Sequence, residues 1–174
     1  MSNTNSNHFF NNEIVFENHW KNVTLSQINE VIPHDFFGKK EFIEFYLCTN
    51  GGCFTNEAYI YRDSFYQVSK NDYNLIEIAS FLHIPLFEKD ENPYWTSSII
   101  EVMERRDLLS ENFEEFTLFH IPFADNYGDN DFWIDIQTGE IKYIDYEESY
   151  DPNDAIIVAT SFPEFCKNIQ AKRR

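Results

Sequence analysis

The chain has 174 residues, 43% of them apolar, with 18 Phe, 10 Tyr and 3 Trp. That composition excludes intrinsic disorder and suits one folded domain with a sizeable core. Its 30 acidic residues against 13 basic ones leave a formal net charge of −17, which excludes a nucleic-acid or anionic-membrane binder, because phosphate and acidic lipid are repelled.

Residues 1–12 read as a polar, flexible lead, in which His8-Phe9-Phe10 has the character to dock onto the body; residues 13–174 read as a single domain. The lead has no basic n-region and no apolar h-region, and no apolar run approaches the about 20 residues of a membrane span. Cys48, Cys53 and Cys166 are odd in number and lack CxxC spacing, which points to a reducing cytoplasm rather than a disulfide framework.

Thr24-Leu25-Ser26-Gln27 is a capping box that opens a first helix, with Ile28, Val31 and Ile32 on one face and Pro33 as its stop. A second helix is expected from His34-Asp35, carrying Phe36, Phe37, Phe42, Phe45 and Tyr46, with Gly38 inside it. It ends at Asn50-Gly51-Gly52, residue types that accept a left-handed conformation. Ala58–Tyr61 and Phe65–Val68 have strand character. Tyr73–Ile84 is ambiguous by pattern, although Leu75, Ile76, Ile78, Ala79 and Leu82 suit a helix that Pro85 would end. Ser97–Arg106 is a helix with Ile99, Ile100, Val102 and Met103 on its apolar side.

Thr117–Phe123 reads as a central strand, bulky on both faces. Asp131–Ile136 and Glu140–Asp145 form a hairpin around Gln137-Thr138-Gly139, with Gly139 at positive φ. The first arm alternates as a half-buried strand would. Ser161-Phe162-Pro163-Glu164 is a second capping box, opening a helix whose end carries Lys167, Lys172, Arg173 and Arg174. Trp20 and Trp133 read as core aromatics.

Charge is concentrated late in the chain. Asp125 to Asp154 holds ten acids and one base, Lys142, a local charge of −9 in thirty residues. Such crowding costs least where a cationic partner answers it. Asp125, Asp129, Asp131, Glu147, Glu148, Asp151 and Asp154 are therefore candidates for a partner-binding face, with Tyr127, Tyr146 and Tyr150 interleaved as contact aromatics. Asn50, Gly51, Gly52, Gly128 and Gly139 are assigned to backbone geometry.

Metal and cofactor signals are absent from the sequence. Asp125-Asn126-Tyr127-Gly128-Asp129 fails as an EF-hand loop, because Tyr127 stands where an oxygen ligand is needed. The five histidines are dispersed without zinc spacing, and no Gly-rich phosphate loop occurs. Nothing singles out a catalytic group; an enzyme would need a cleft with strongly perturbed carboxylates.

In order, the chain shows Ile32-Pro33, a helix ending in Asn50-Gly51-Gly52, Ile121-Pro122-Phe123-Ala124, Gly128-Asp129, the Trp133–Tyr143 hairpin and a closing Ser161-Phe162-Pro163-Glu164-Phe165. This ordered set resembles the SUKH superfamily, to which the cell-wall assembly and glucan-synthesis regulator and many bacterial immunity proteins belong. The resemblance covers residues 24–172, with Ile32 where the family usually has Leu. It implies an α+β fold with a mixed, mostly antiparallel sheet flanked by helices. It also implies a non-enzymatic role: an immunity protein that neutralises a cognate, basic, nuclease-type toxin by direct binding. The alternative of a different class is a regulatory or scaffold interaction protein of the cell-wall-regulator type, with no toxin partner.

Overall fold

The computed structural model describes residues 8–11, 13–18, 21–86 and 97–174. Trp20, residues 1–7 and 12 of the lead, and residues 87–96 lie outside the described residues. The chain forms seven strands, β1 (Phe16–Glu17), β2 (Gly52–Tyr61), β3 (Leu75–Phe81), β4 (His120–Asp125), β5 (Asp131–Asp135), β6 (Ile141–Ile144) and β7 (Ile156–Ala159). They make one sheet in sequence order, β1 to β7, and every ladder between them is antiparallel. The helices are α1 (Leu25–Val31), α2 (Lys39–Cys48), α3 (Ile99–Asp107), α4 (Glu111–Phe119) and α5 (Phe162–Asn168). The fold is α+β, and its sheet is antiparallel throughout; the parallel component is an isolated bridge between His83 and Ser98.

Two helical layers sandwich the sheet. Neighbouring residues on a strand face opposite ways, and β5 shows it: Phe132 packs on Phe165 of α5, whereas Trp133 packs on Phe116 of α4. β5 is therefore buried on both faces, and not half-buried as its alternation suggests. On the α5 side the core is built from phenylalanine. The Phe81 ring lies 5.0–6.3 Å from those of Phe10, Phe16, Phe45, Phe54, Phe123, Phe162 and Phe165, mostly edge to face. That geometry suits the ring quadrupole. Phe10, from the lead, is part of this core.

The capping box of α1 is present in both directions, Gln27 N to Thr24 Oγ1 at 3.2 Å and Thr24 N to Gln27 Oε1 at 2.8 Å. The second helix starts at Lys39 and not at His34-Asp35, because Gly38 adopts φ 93° and is its N-cap, not an interior residue. After α2, Gly51 and Gly52 take φ of 71° and 148°. A Cβ on Gly52 would stand 2.2 Å from the Glu17 carbonyl oxygen, so β1 can approach β2 only because glycine is there. Asn50 is not left-handed. Its buried amide accepts from Ile84 N at 2.7 Å and donates to Ile84 O at 2.9 Å, fastening the chain beyond β3 to the end of α2.

Three further expectations are corrected. Tyr73–Ile84 contains the strand β3 and no helix: Ile76 and Ile78 pair with Ile60 and Ala58, and β-branched residues on a ladder override the helical spacing. Phe65–Val68 is no strand, because Arg62–Ser64 turns the chain and Arg62 N bonds Asn74 O. Thr117–Phe119 belongs to α4; Ser110 caps its start and Glu111 and Glu114 occupy its first turn, so the strand begins only at His120. In the α5 cap, Ser161 accepts from Glu164 N at 3.3 Å. Lys172, Arg173 and Arg174 lie beyond its last residue; Arg173 instead stacks on Tyr61 and grips Asp63.

Asn50→Ala leaves both backbone groups of Ile84 unpaired in the core. It is expected to lower stability by about 3 kcal/mol in urea denaturation, and a loss below about 1 kcal/mol would show that the Asn50 clamp is dispensable.

Candidate functional site

The late acidic stretch folds as two loops beside each other: the Asn126–Asn130 turn between β4 and β5, and the Asp145–Ala155 connection between β6 and β7. The first loop is built on Asn126. Its Oδ1 accepts from Gly128 N at 2.9 Å and Asn130 N at 3.0 Å, while its Nδ2 donates to the Tyr143 hydroxyl at 2.9 Å. The left-handed residue of this turn is Asp129, φ 61°, and not Gly128. Aspartate tolerates that conformation better than most residues. The hairpin turn places Gly139 at φ 78°, as its sequence requires.

Arg106, in the last turn of α3, joins the two loops. Its Nε donates to Asp131 Oδ2 at 2.8 Å, and its Nη2 donates to Asp131 Oδ1 at 3.2 Å and to the Asp129 carbonyl at 2.7 Å. The guanidinium lies 3.8 Å over the Tyr146 ring, and the Tyr146 hydroxyl donates to Asp131 Oδ2 at 2.6 Å. Burial opposes the Arg106 charge, but the Asp131 carboxylate outweighs it and the guanidinium pKa is raised. Arg106 falls on the apolar face of α3, spaced three, four and seven residues from Met103, Val102 and Ile99. That spacing is the signal by which a buried cation is found in sequence, and it lies outside the acidic stretch.

The ten candidate contact residues divide. Asp131 and Tyr146 are buried in the Arg106 network, so neither presents a charge or a ring to a partner. Asp125 is also withdrawn: Ser80 Oγ donates to its carboxylate across the β3–β4 ladder. Asp151 accepts from Asn153 N at 2.9 Å and Asp154 accepts from Ser149 Oγ at 2.5 Å, so these two order their own loop. Asp129 is exposed and pairs with Arg105 at 3.2 Å. Tyr127 is 76% exposed and Tyr150 68%. Glu147 and Glu148 are exposed. A cavity of about 460 Å³ opens between the loops, lined by Asp129, Glu147 and Tyr150, with Arg106 and Tyr146 also at its wall.

Burial pushes the Asp125 pKa up to about 7, with Asp131 and Asp129 adding to the rise and Ser80 opposing it. A second titrating cluster lies at the other end of β4. His120 stacks 3.7 Å from the Phe116 ring. Its Nδ1 meets the Phe116 carbonyl at 2.8 Å and its Nε2 meets the Lys142 ammonium at 3.0 Å. An ammonium only donates, so Nε2 accepts and the proton sits on Nδ1. Burial, with Lys142 in support, lowers the His120 pKa to about 4. Lys142 is itself paired with Asp135 at 3.0 Å.

Among the described residues no group of His, Cys, Asp and Glu is placed to hold a metal ion, and no helix is long and apolar enough to cross a membrane. No protein-family model matches this chain, and neither a curated protein nor a solved structure matches it.

Arg106→Met strands the Asp131 carboxylate in the core and is expected to cost about 3–5 kcal/mol in urea denaturation, much of it recovered in Arg106→Met with Asp131→Leu. An equal loss in single and double variants would remove the pair from the account. Asp125 binds its proton more tightly folded than unfolded, so its contribution to stability is full below about pH 4 and is lost as pH rises through about 7. Asp125→Asn should therefore gain on the natural protein by roughly 3 kcal/mol between about pH 5 and about pH 8, read from paired denaturation curves. A difference independent of pH would contradict the shift.

Proposed function

We propose that this chain is a SUKH-like binding protein that neutralises a basic protein toxin by direct contact, without chemistry of its own. One observation carries the reading. Tyr127, Tyr150, Glu147 and Glu148 stand exposed on the two loops that carry Asp129, Asp129, Glu147 and Tyr150 line a cavity between them, and the Arg106–Asp131–Tyr146 network behind is buried and hydrogen-bonded. Aromatic anchors ringed by carboxylates on a pre-organised base are what a cationic protein surface binds: tyrosine supplies area at low entropy cost, and the charges steer encounter. Toxins that act on nucleic acid need basic clefts to attract phosphate, and such clefts are complementary to this rim. The sequence resemblance to immunity proteins supports the same reading.

The test is affinity capture from the native host with the chain as bait, washed at low and then high salt. A stoichiometric basic partner, released by salt and toxic when expressed alone, is the expected result. Tyr127→Ala, Glu147→Gln, Glu148→Gln and Tyr150→Ala combined should then weaken its binding at least about tenfold and flatten the ionic-strength dependence of association. Unchanged affinity and salt dependence would remove the rim as the binding face, and recovery of cell-wall or signalling proteins alone would overturn the toxin reading.

A further inference from the structure

A smaller cavity, about 220 Å³, opens between α4 and the turn at Pro152–Asp154. Phe116, Phe119 and Pro152 give it apolar walls, and Glu115, Asn112 and Asn153 give it acceptors. The side chains of these three polar residues have no hydrogen bond or ion pair with the described residues, so their capacity is unspent. His120 also lines the cavity, and it brings no charge: its Nδ1 proton goes to Phe116 O and its Nε2 lone pair is taken by Lys142. Lys142 is in turn neutralised by Asp135. Between Arg106 and Lys142 the sequence has nine acids and no Lys or Arg. Beside the cavity, α4 exposes Leu118 at 63% and Phe119 at 45%, apolar surface without a covering partner among the described residues.

We infer that this cavity is the socket for one basic side chain of a protein partner, best matched by arginine. Its chemistry reads in layers. The aromatic and proline walls receive an alkyl stem and the flat face of a guanidinium. One carboxylate and two side-chain amides share the lining, a set of acceptors that the several donors of a guanidinium match better than an ammonium. The exposed Leu118 and Phe119 then give the partner's neighbouring residues an apolar seat. An anion is refused by Glu115 and by the absence of an unpaired cation among the lining residues. The inference deepens the proposed function, since it rests on a basic protein partner, and it adds a second anchor point on α4 to the tyrosine rim.

The test needs no partner in hand. N-acetyl-arginine amide is titrated into the isotope-labelled full chain, with N-acetyl-lysine amide and N-acetyl-norleucine amide as comparators, and amide shifts are followed by NMR. Saturable shifts at Asn112, Glu115, Phe119 and Asn153 are expected, strongest with arginine and absent with norleucine. Glu115→Gln, at an exposed helical position that leaves packing intact, should weaken the apparent affinity about fivefold, while Glu30→Gln, exposed on α1 away from both sites, should leave it unchanged. Asn112→Leu serves as a second variant with the carboxylate retained, and is expected to weaken arginine more than lysine. Equal shifts with norleucine, no saturation, or shifts confined to residues 127–150 and abolished by Glu147→Gln with Glu148→Gln would each overturn the socket. None of these results bears on whether affinity capture yields a toxin, so the two readings fail separately.

Discussion

The Asp131 carboxylate sits fully buried at the start of a central strand, and it does so because Arg106 reaches it from another layer of the fold. A buried ion pair adds little net stability over an apolar replacement, but its geometry is demanding. Here the guanidinium must meet both Asp131 oxygens, the Asp129 carbonyl and the Tyr146 ring together. Meeting all four fixes α3 against β5 and fixes the two acidic loops against each other. The spacing of the exposed carboxylates and tyrosines is thus inherited from one cation at the end of a helix.

This arrangement also changes how the acidic composition is read. Ten acids in thirty residues suggest a uniform negative wall, but much of that charge is used internally. Asp131 answers Arg106, Asp135 answers Lys142, and Asp145, Asp151 and Asp154 hold backbone or hydroxyl groups of their own loop. Asp125 is largely withdrawn beside Ser80, where desolvation first, and the Asp131 and Asp129 carboxylates second, raise its pKa to about 7. What remains for a partner is a narrower set: Glu147 and Glu148 with Asp129, and on α4 the carboxylate of Glu115. Local charge density locates the region, and burial decides which members act outward.

The ends of elements were legible where a side chain does the work. Thr24 with Gln27, Gly51-Gly52 and Gly139 behave as their chemistry dictates, and Ser161 caps α5 without the return bond from Glu164 that a full capping box needs. The α+β class was an expectation from the SUKH resemblance, and the antiparallel sheet with its flanking helices agrees with it. Legibility failed where a distant strand decides. Leu75–Phe81 has a helical spacing of apolar residues, yet β2 lies alongside and the ladder wins. Thr117–Phe119 looked like strand because its residues are bulky, but Ser110 had already started a helix that runs through them. The site failed for the same reason. Asp131 and Tyr146 look like any other acid and tyrosine in a polar loop until Arg106, 25 and 40 residues earlier in the chain, is brought beside them.

The meander of strands is local in sequence, whereas its closure is not. Asn11 donates to the Ile169 carbonyl at 2.8 Å, and Tyr59 and Gln170 exchange both backbone hydrogen bonds at 2.9 Å, across the edge of β2 that β1 leaves open. β2 with β3, and β4 through β7, are joined by short connections and can pair early. The seam formed by residues 10–11, 59–61 and 169–173 has to wait for segments more than a hundred residues apart to meet, and such pairings are slow. Sequence separation therefore favours assembly of the acidic hairpin region before the aromatic core is sealed. A partly folded molecule would show its acidic rim while β2 still carries an unsatisfied edge, the condition under which one chain pairs with another.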